Sequence, residues 1–487
     1  MWRISCISTL LWMVACVAIP EQRTARDQVV FSPQQLRDDL KFIDTQLLSI
    51  HPEPFARLAI TEYRKQYQST YQNLSWPRNR QRYYEALLPL ISKFQDTHIQ
   101  LNFPDTEYNN FIKTKGEFPL TVLNTDNTLV VLSDNQGLPT VPVGAEIRTI
   151  NKIPSSKLLA AMGQMVPAET ESGRNRLVQV QFPRLLWSYF SGAIDYEIEF
   201  LWRGKVIKQK LTNAQLTELQ LNSIQQRRQG SHYGVITVDN DTTMLWMNDF
   251  NERYDVFEEF LEQLFSDLRI QGKKNLILDL RYNEGGITDN LALLLSYLAP
   301  KSLNWADKAS LKISAAFKRQ HEQLIGHTKD EKYSRYLGWL PMEYLNFWQW
   351  EILFAENGEQ FQTEIAPVLN KEERYFQGEV IVLSNGYCFS ACAALVATLS
   401  KNDLATIIGE PPGSYVDTQY GYPVKIRLPN TGLVLTMPSM KFVLNKDADL
   451  KQVLEPDHSV KRRKMDVLMG RDIVFQAALE LIRLRQE

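Results

Sequence analysis

Cysteine is scarce in this sequence. The 487 residues contain four cysteines. Cys6 and Cys16 lie in an N-terminal segment with the features of a leader, which leaves Cys388 and Cys392 for the folded chain. Two cysteines in a chain of this length do not make a disulfide scaffold. Small, buried packing residues are therefore the role that we expect for both.

The chain also lacks an excess of charge of either sign. Its formal net charge is -2 and its pI is about 6.4. Nucleic acid needs a basic surface for its phosphates, so this balance argues against nucleic acid as a partner. The basic run 461–464 is typical of a solvated loop or a helix start.

The N-terminal apolar run is short. It follows Arg3 and covers residues 4–15, fewer than the roughly 20 residues that span a membrane. The pattern predicts a signal peptide over residues 1–20 and an exported protein that is periplasmic, membrane-anchored or secreted. Two cleavage hypotheses stay open. Residues 13–16 resemble a lipoprotein box, which implies membrane attachment through a lipidated Cys16; ordinary cleavage near Ala18 would instead discard that residue.

Two common catalytic signatures are missing. His321 and His327 are six positions apart and form no His-Glu-x-x-His pair, so no metal site is indicated. No Gly-x-Ser-x-Gly elbow occurs, which argues against an ordinary α/β-hydrolase. We expect no cofactor.

Periodicity divides the rest of the chain into three parts. Over 21–105, apolar residues recur at helical spacing after the Ser32-Pro33 helix start and predict a helical domain. Residues 115–225 contain short strand patterns and predict a small β-rich domain. Residues 232–487 contain almost continuous apolar runs followed by helical patterns, which predict an α/β domain of parallel strands.

The segment 301–377 interrupts this last domain. It is rich in aromatic and charged residues, with Trp339, Phe347, Trp348 and Trp350 close together. We interpret it as a helical insertion. It forms either a packed pair of surface helices or a lid.

Two loops that follow buried strands hold the candidate chemistry. The loop 279–286 ends in Gly285-Gly286, where bare backbone N–H groups can approach an oxyanion closely. The loop 384–393 places Ser390 at the start of an apolar helix, where the helix dipole favours negative charge. Taken alone, paired glycines are more often explained by a tight turn, and a serine at this position more often caps the helix.

The two loops together resemble the paired motifs of the tail-specific, or C-terminal processing, serine peptidases. Asp279 to Gly286 matches the Asp-Leu-Arg-x-Asn-x-Gly-Gly loop of that family, and Ser390-Ala391 matches the pair that opens the helix after the nucleophile strand. Ile408-Gly409-Glu410 and Pro456-Asp457 follow at the usual places. The resemblance implies a crotonase-like catalytic domain and a PDZ-like domain over 115–225, although Val143-Gly144-Ala145 replaces the usual Pro-Gly-Asp.

The resemblance also implies the site residues. One branch of the family uses a lysine about 25 residues after the serine, but position 415 is tyrosine and the loop 409–421 contains no lysine. The tricorn-core-like branch uses a histidine from an Asp-Gly-His-Thr motif, which Asp96-Thr97-His98-Ile99 matches in part. His98 is then the general base for Ser390.

Two further roles follow from the same resemblance. Since that branch places an acid shortly before Pro-Asp, Asp449 is the expected third member, with Asp447 and Glu455 as alternatives. The N–H groups of Gly286 and Ala391 are expected to bind the oxyanion.

The implied function is a serine endopeptidase that acts on a peptide or protein substrate through an acyl-enzyme. A catalytically silent relative that binds a peptide or apolar ligand in the same cleft is the alternative. Acyl-CoA chemistry on a related fold is disfavoured by the leader, because that cofactor is intracellular.

Overall fold

The computed structural model describes residues 29–134, 141–214, 230–320, 355–371 and 374–486. In chain order the helices are α1 Pro33–Ile50, α2 Ile60–Asn73, α3 Arg80–Ile91, α4 Asp105–Lys115, α5 Ser155–Gly163, α6 Glu171–Val180, α7 Phe182–Tyr189, α8 Tyr254–Ile270, α9 Thr288–Leu298, α10 Ala391–Lys401, α11 Lys464–Leu468 and α12 Ile473–Gln486.

The strands are β1 Val30–Phe31, β2 Arg78–Asn79, β3 Gln100–Leu101, β4 Leu120–Thr125, β5 Thr128–Asp134, β6 Glu146–Ile150, β7 Ile153–Pro154, β8 Asp195–Trp202, β9 Lys205–Thr212, β10 Tyr233–Thr237, β11 Thr242–Met247, β12 Asn275–Asp279, β13 Lys308–Lys312, β14 Gln360–Glu364, β15 Glu379–Ser384, β16 Thr406–Gly409, β17 Thr418–Arg427, β18 Val434–Val443 and β19 His458–Ser459.

The first helix forms as its sequence predicts. Ser32 and Gln35 make a reciprocal capping box, and Pro33 occupies the first helical position. The apolar residues at helical spacing are all buried; they are Leu36, Leu40, Ile43 and Leu47. They belong to the same hydrophobic core as strand residues of the α/β part, such as Leu276 and Leu278. The N-terminal helices are therefore packed onto the rest of the molecule.

The main sheet has the order β10-β11-β12-β15-β16-β19. Only β10 and β11 pair in antiparallel fashion, and the remaining neighbours are parallel. Strand β12 is buried over residues 275–278, as expected for a strand covered on both faces. The prediction of an α/β fold is confirmed. Because β12 and β15 are adjacent and parallel, the loops after them meet at one edge.

A second sheet has the order β14-β13-β18-β17, and β3 also pairs with β18. Two of its strands, β13 and β14, lie within 301–377, so the prediction of a wholly helical insertion was wrong. In β13 the buried residues Ala309 and Leu311 alternate with lysines and a serine, a pattern too short to stand out among charged neighbours. The aromatic cluster from Trp339 to Trp350 lies outside the described residues.

The small sheet of the middle part follows the order β4-β5-β6-β8-β9, with β7 paired to β6. Its strands agree with the sequence pattern. Helices α5 to α7 were not predicted; each has ten residues or fewer, too short for a clear helical period. The leader, with Cys6 and Cys16, lies outside the described residues. No described helix combines the length and apolarity needed to span a membrane.

Candidate active site

Ser390 sits on the sharp turn between strand β15 and helix α10. Its backbone has φ 53° and ψ -126°, a conformation that residues with a side chain rarely adopt. Two hydrogen bonds hold the turn: the Ser390 N–H donates to Ser414 Oγ at 3.1 Å, and the Phe389 N–H donates to the Asn283 carbonyl at 3.2 Å. The Ser390 hydroxyl does not cap the helix. The side chain is therefore left for another partner.

That partner is His98. Its Nε2 lies 3.1 Å from Ser390 Oγ, although the two residues are 292 positions apart. The short strand β3, which directly follows the histidine loop, pairs with β18 through Gln100 and Leu101. This pairing brings the loop to the α/β part. The structure thus places the predicted base against the predicted nucleophile.

Asp96 occupies the other side of the imidazole. Its Oδ1 lies 3.1 Å from His98 Nδ1 and also accepts the His98 backbone N–H at 2.8 Å. A carboxylate accepts hydrogen bonds, so Nδ1 carries the proton and Nε2 is free to accept one from the serine. Asp96 has the geometry of the third member, the role that the sequence analysis assigned to Asp449.

Asp449 and its alternatives lie in exposed positions instead. The side chains of Asp449, Asp447 and Glu455 are all solvent-accessible, and the described contacts of the His98 ring are with Asp96 and Ser390. The assignment of Asp449 followed from chain order in the resembling family. The carboxylate that faces the His98 ring comes from the histidine loop itself, so no second segment has to supply it.

Burial and charge set the protonation of Asp96 and His98. Burial favours a neutral Asp96, but hydrogen bonds from His51 and His98, together with their positive charge when protonated, hold its pKa well below the usual range. Burial would lower the pKa of His98, yet the bond and charge of Asp96 and the charge of Glu169 raise it above the usual value of 6.5. Asp96 therefore stays ionised, and His98 can take a proton readily.

The candidate oxyanion donors lie beside Ser390. A Cβ atom built on Gly285, whose φ is +92°, would stand 2.8 Å from Ser390 Cβ, so only glycine fits there. The Gly285 N–H is already used by Asn283 Oδ1 at 2.9 Å. The N–H groups of Gly286 and Ala391 have no hydrogen-bond partner among the described residues, and both residues line the cleft that contains Ser390. They are free to bind an anion.

Residues 241–460 match the model of Peptidase family S41. This segment is similar to the S41 peptidases. The predicted resemblance to tail-specific serine peptidases is thereby confirmed, and the family supports a serine peptidase. The match contains Ser390, whereas the histidine loop precedes it. No curated protein sequence matches the chain significantly.

Solved structures add a likeness in fold. Mature CPAF complexed with lactacystin is 15% identical, with a TM-score of 0.65, over 92% of this chain and 97% of that one. A CPAF mutant is 14% identical, with a TM-score of 0.66, over 89% and 94%. A putative peptidase from Parabacteroides merdae is 13% identical over 93% and 96%, with a TM-score of 0.47 that is too low to carry an argument. At these identities the likeness to CPAF shows the fold alone.

The two cysteines of the matched segment form a disulfide. Cys388 and Cys392 flank Ser390, both side chains are fully buried, and their sulfurs are bonded. The expectation that both are buried is confirmed, but the bond between them was not predicted. Their i, i+4 spacing across a helix start suits both roles, so the sequence did not distinguish them. The bond closes the turn that holds the nucleophile.

A buried ion pair lies next to the histidine loop. Glu169 accepts hydrogen bonds from Arg57 at 3.1 Å, from the Thr97 hydroxyl at 2.9 Å and from the Tyr415 N–H at 3.1 Å. Glu169, Asp96 and His98 place ligand-type atoms within 4.8 Å of one another. Each of these groups already has protein partners, which accounts for the cluster without a metal ion.

An open cleft of about 1890 Å³ surrounds the reactive groups. It is lined by His98, Gly285, Gly286, Ser390 and Ala391, and also by residues of β4 and α6 in the small sheet domain. The Pro456-Asp457 motif lies elsewhere and supports the sheet, since Asp457 Oδ2 accepts the Ile407 N–H at 2.7 Å. Among the groups that the sequence analysis missed, Asp96 had a visible signal, because it begins the motif that contains His98.

Proposed function

We propose that this protein is a serine endopeptidase of the Ser-His branch, with Ser390 as nucleophile, His98 as general base and Asp96 as the acid that orients it. One observation carries the proposal: His98 Nε2 lies 3.1 Å from Ser390 Oγ while its Nδ1 faces Asp96. Family S41 supplies the reaction class. The substrate is a peptide or protein.

Acylation begins when Ser390 Oγ attacks the carbonyl carbon of the scissile bond. His98 Nε2 takes the hydroxyl proton as the C–O bond forms. The ionised Asp96 stabilises the resulting imidazolium, because its buried carboxylate faces Nδ1. The pKa of His98 is raised above its usual value, which makes the ring a stronger base for this step.

The tetrahedral intermediate carries a negative oxygen. The free N–H groups of Gly286 and Ala391 bind it, and the dipole of helix α10 adds to their effect. His98 then gives its proton to the leaving amine, and the C–N bond breaks. Water attacks the acyl-enzyme with the same base, which releases the acid product and restores Ser390.

The small sheet domain gives a route for binding an extended chain, as in a PDZ-like module. Strand β4 lies at one edge of its sheet, and residues 120–122 line the cleft that contains Ser390. Helix α6 packs beside β4 and contributes Leu177 and Val180 to the same lining. A substrate segment can therefore add as a strand to β4 and continue to a catalytic domain of the crotonase-like type.

Export is part of the proposal. The leader over residues 1–20 motivates it, and the Cys388–Cys392 disulfide supports it, because such bonds persist in oxidising compartments. Cys16 is the proposed lipid attachment point where the leader is cleaved as a lipoprotein. Metabolic labelling of cells with an alkyne fatty acid, compared between wild type and Cys16→Ala, tests this attachment; an unlabelled wild-type protein contradicts it.

A fluorophosphonate probe tests the catalytic assignment. We expect it to label the wild-type protein at Ser390, to leave Ser390→Ala unlabelled, and to label His98→Gln far more slowly. His458→Gln serves as the control, since this histidine is exposed and lies far in sequence from the motif 96–99 that contains His98. Lactacystin, which is bound to mature CPAF in one solved structure, serves as a second probe that should compete with the first.

Peptide hydrolysis is measured in parallel with a quenched fluorescent peptide library. Cleavage by wild type but not by Ser390→Ala supports the proposal. A wild-type protein that is folded, resists both probes and cleaves no peptide contradicts it, and then supports the alternative of a silent relative that binds its ligand in the same cleft.

A further inference from the structure

A second histidine approaches the acid of the site from the opposite side. His51 ends helix α1, where its backbone N–H donates to the Leu47 carbonyl. Its side chain is 2% exposed, and its Nε2 lies 3.2 Å from Asp96 Oδ2. His98 uses the other oxygen of the same carboxylate. The two histidines therefore bracket Asp96.

The local chain determines which ring nitrogen of His51 carries the proton. The Glu53 N–H donates to His51 Nδ1 at 3.0 Å, so Nδ1 is the acceptor. The proton of the neutral ring must then be on Nε2, and this N–H donates to Asp96 Oδ2. Burial, the largest influence, keeps the ring neutral by lowering its pKa. His51 is thus a fixed donor to the acid.

Its surroundings hold both the ring and the backbone of His51 in place. The Tyr420 ring lies with its centroid 4.6 Å from that of His51, and Lys312 Nζ donates to the His51 carbonyl at 3.1 Å. These contacts come from strands β17 and β13 of the second sheet. The histidine is therefore fixed by two elements besides its own helix.

We propose that His51 is a positioning residue that completes a hydrogen-bonded chain from Ser390 through His98 and Asp96. Asp96 is short and buried, and each of its oxygens needs a donor to stay ionised in one orientation. His51 supplies the donor to Oδ2, so that Oδ1 remains directed to His98 Nδ1. The inference rests on the proposed function, because the chain matters only where Ser390 reacts.

The competing explanation is that His51 merely shapes the turn after α1. Two substitutions separate these roles. In His51→Asn the short amide can still accept the Glu53 N–H but does not reach Asp96. In His51→Gln the longer amide can donate to Asp96 Oδ2 near the original Nε2 position. A positioning role predicts that the glutamine variant is the more active of the two, and a turn role predicts the reverse order.

The measurement is the second-order rate constant of fluorophosphonate labelling, with kcat/KM for a cleaved peptide. We expect His51→Asn to fall by about tenfold or more, as for the loss of one hydrogen bond to a buried charge, and His51→Gln to stay within about threefold of wild type. His458→Gln is the matched control and should react like wild type. Thermal unfolding of each variant is recorded in parallel.

The pH profile gives a second readout that a purely structural role would not move. Without the His51 donor, Asp96 Oδ1 is no longer held against His98 Nδ1 and stabilises the imidazolium less, so the acid limb of the profile moves to lower pH in His51→Asn and stays in place in His51→Gln. The charged and titratable groups that face the two histidines are the same in both variants; they are Glu53, Arg57, Asp96, Glu169, Lys312 and Tyr420.

The wild-type protein provides a test that does not depend on variant folding. Imidazole nitrogen NMR should show His51 as the Nε2–H tautomer and His98 as the Nδ1–H tautomer. A His51 ring protonated on Nδ1, or an asparagine variant that equals wild type in rate and pH profile, overturns the inference. Absence of labelling and cleavage in wild type would instead refute the proposed function, so the two failures are distinguishable.

Discussion

Replacement of Asp96 by asparagine tests the arrangement most directly. Asp96 accepts three hydrogen bonds, two from His98 on Oδ1 and one from His51 on Oδ2. Asparagine keeps the shape but offers one acceptor and one donor. With its oxygen towards His98, its amide group opposes the His51 N–H; with its amide group towards His98, Nδ1 must lose its proton, and Nε2 can no longer accept one from Ser390.

The magnitude follows from these two orientations. Both remove the negative charge that stabilises the imidazolium, and the second also imposes the wrong tautomer. We expect kcat/KM to fall by about 10³ to 10⁴, equivalent to about 4–5.5 kcal/mol of transition-state stabilisation. The free energy of unfolding should fall by only about 1–3 kcal/mol, the cost of imperfect hydrogen bonds at a buried site.

The assay is kcat/KM on a peptide substrate, with the labelling rate of Ser390 as a check on acylation. Asp449→Asn is the matched control, because it removes the exposed acid that the sequence pattern favoured and should stay within about twofold of wild type. The reasoning is refuted if Asp96→Asn is folded and loses less than about tenfold. It is equally refuted if Asp449→Asn is the more damaged variant.

Three further predictions concern the surroundings of this group. Activity should fall as the pH drops through the pKa of His98, which lies above 6.5, because only the neutral ring accepts a proton; a lower midpoint contradicts this. Gly285→Ala should slow labelling of the nucleophile by on the order of 100-fold, whereas Gly204→Ala, with a similar φ but open space, should not. Replacing Cys388 and Cys392 by alanine should lower the free energy of unfolding by about 2 kcal/mol in urea titrations and slow labelling; unchanged values would refute a role in holding the turn.

The sequence was most informative where a local pattern has one dominant physical cause. Four apolar residues at helical spacing after a proline-containing cap can be buried on one side of a helix, and α1 does this. A continuous apolar run such as residues 276–278 fits a strand covered on both faces, which β12 confirms. Ser390 and His98 were named from motifs, and the structure brings them together.

Other features depended on contacts that no local pattern encodes. Strands β13 and β14 are recognisable as strands mainly through their pairing with each other and with β18. The proposed role of Asp96 was not predicted because carboxylates are common on loops, and the choice of Asp449 used chain order rather than distance. Asp96 was already in the histidine motif, two positions before the base, but only the folded loop shows that its carboxylate turns back to Nδ1.

Asp96 lies in the same loop as His98, so the fold needs only one long-range contact to assemble the proposed triad. Since Asp96 and His98 come from one loop, the relation between them is set locally, and the backbone N–H of His98 bonds to the same carboxylate oxygen as its ring. A single long-range placement then joins this unit to Ser390, and the pairing of β3 with β18 provides it. A change that weakens this pairing without touching the three side chains should therefore lower the labelling rate of Ser390 while leaving the His98–Asp96 hydrogen bond intact. Proline in place of Asn102 removes the N–H that donates to the Val434 carbonyl of β18 at 2.8 Å; a variant that keeps full activity would show that the loop is held to Ser390 by other contacts.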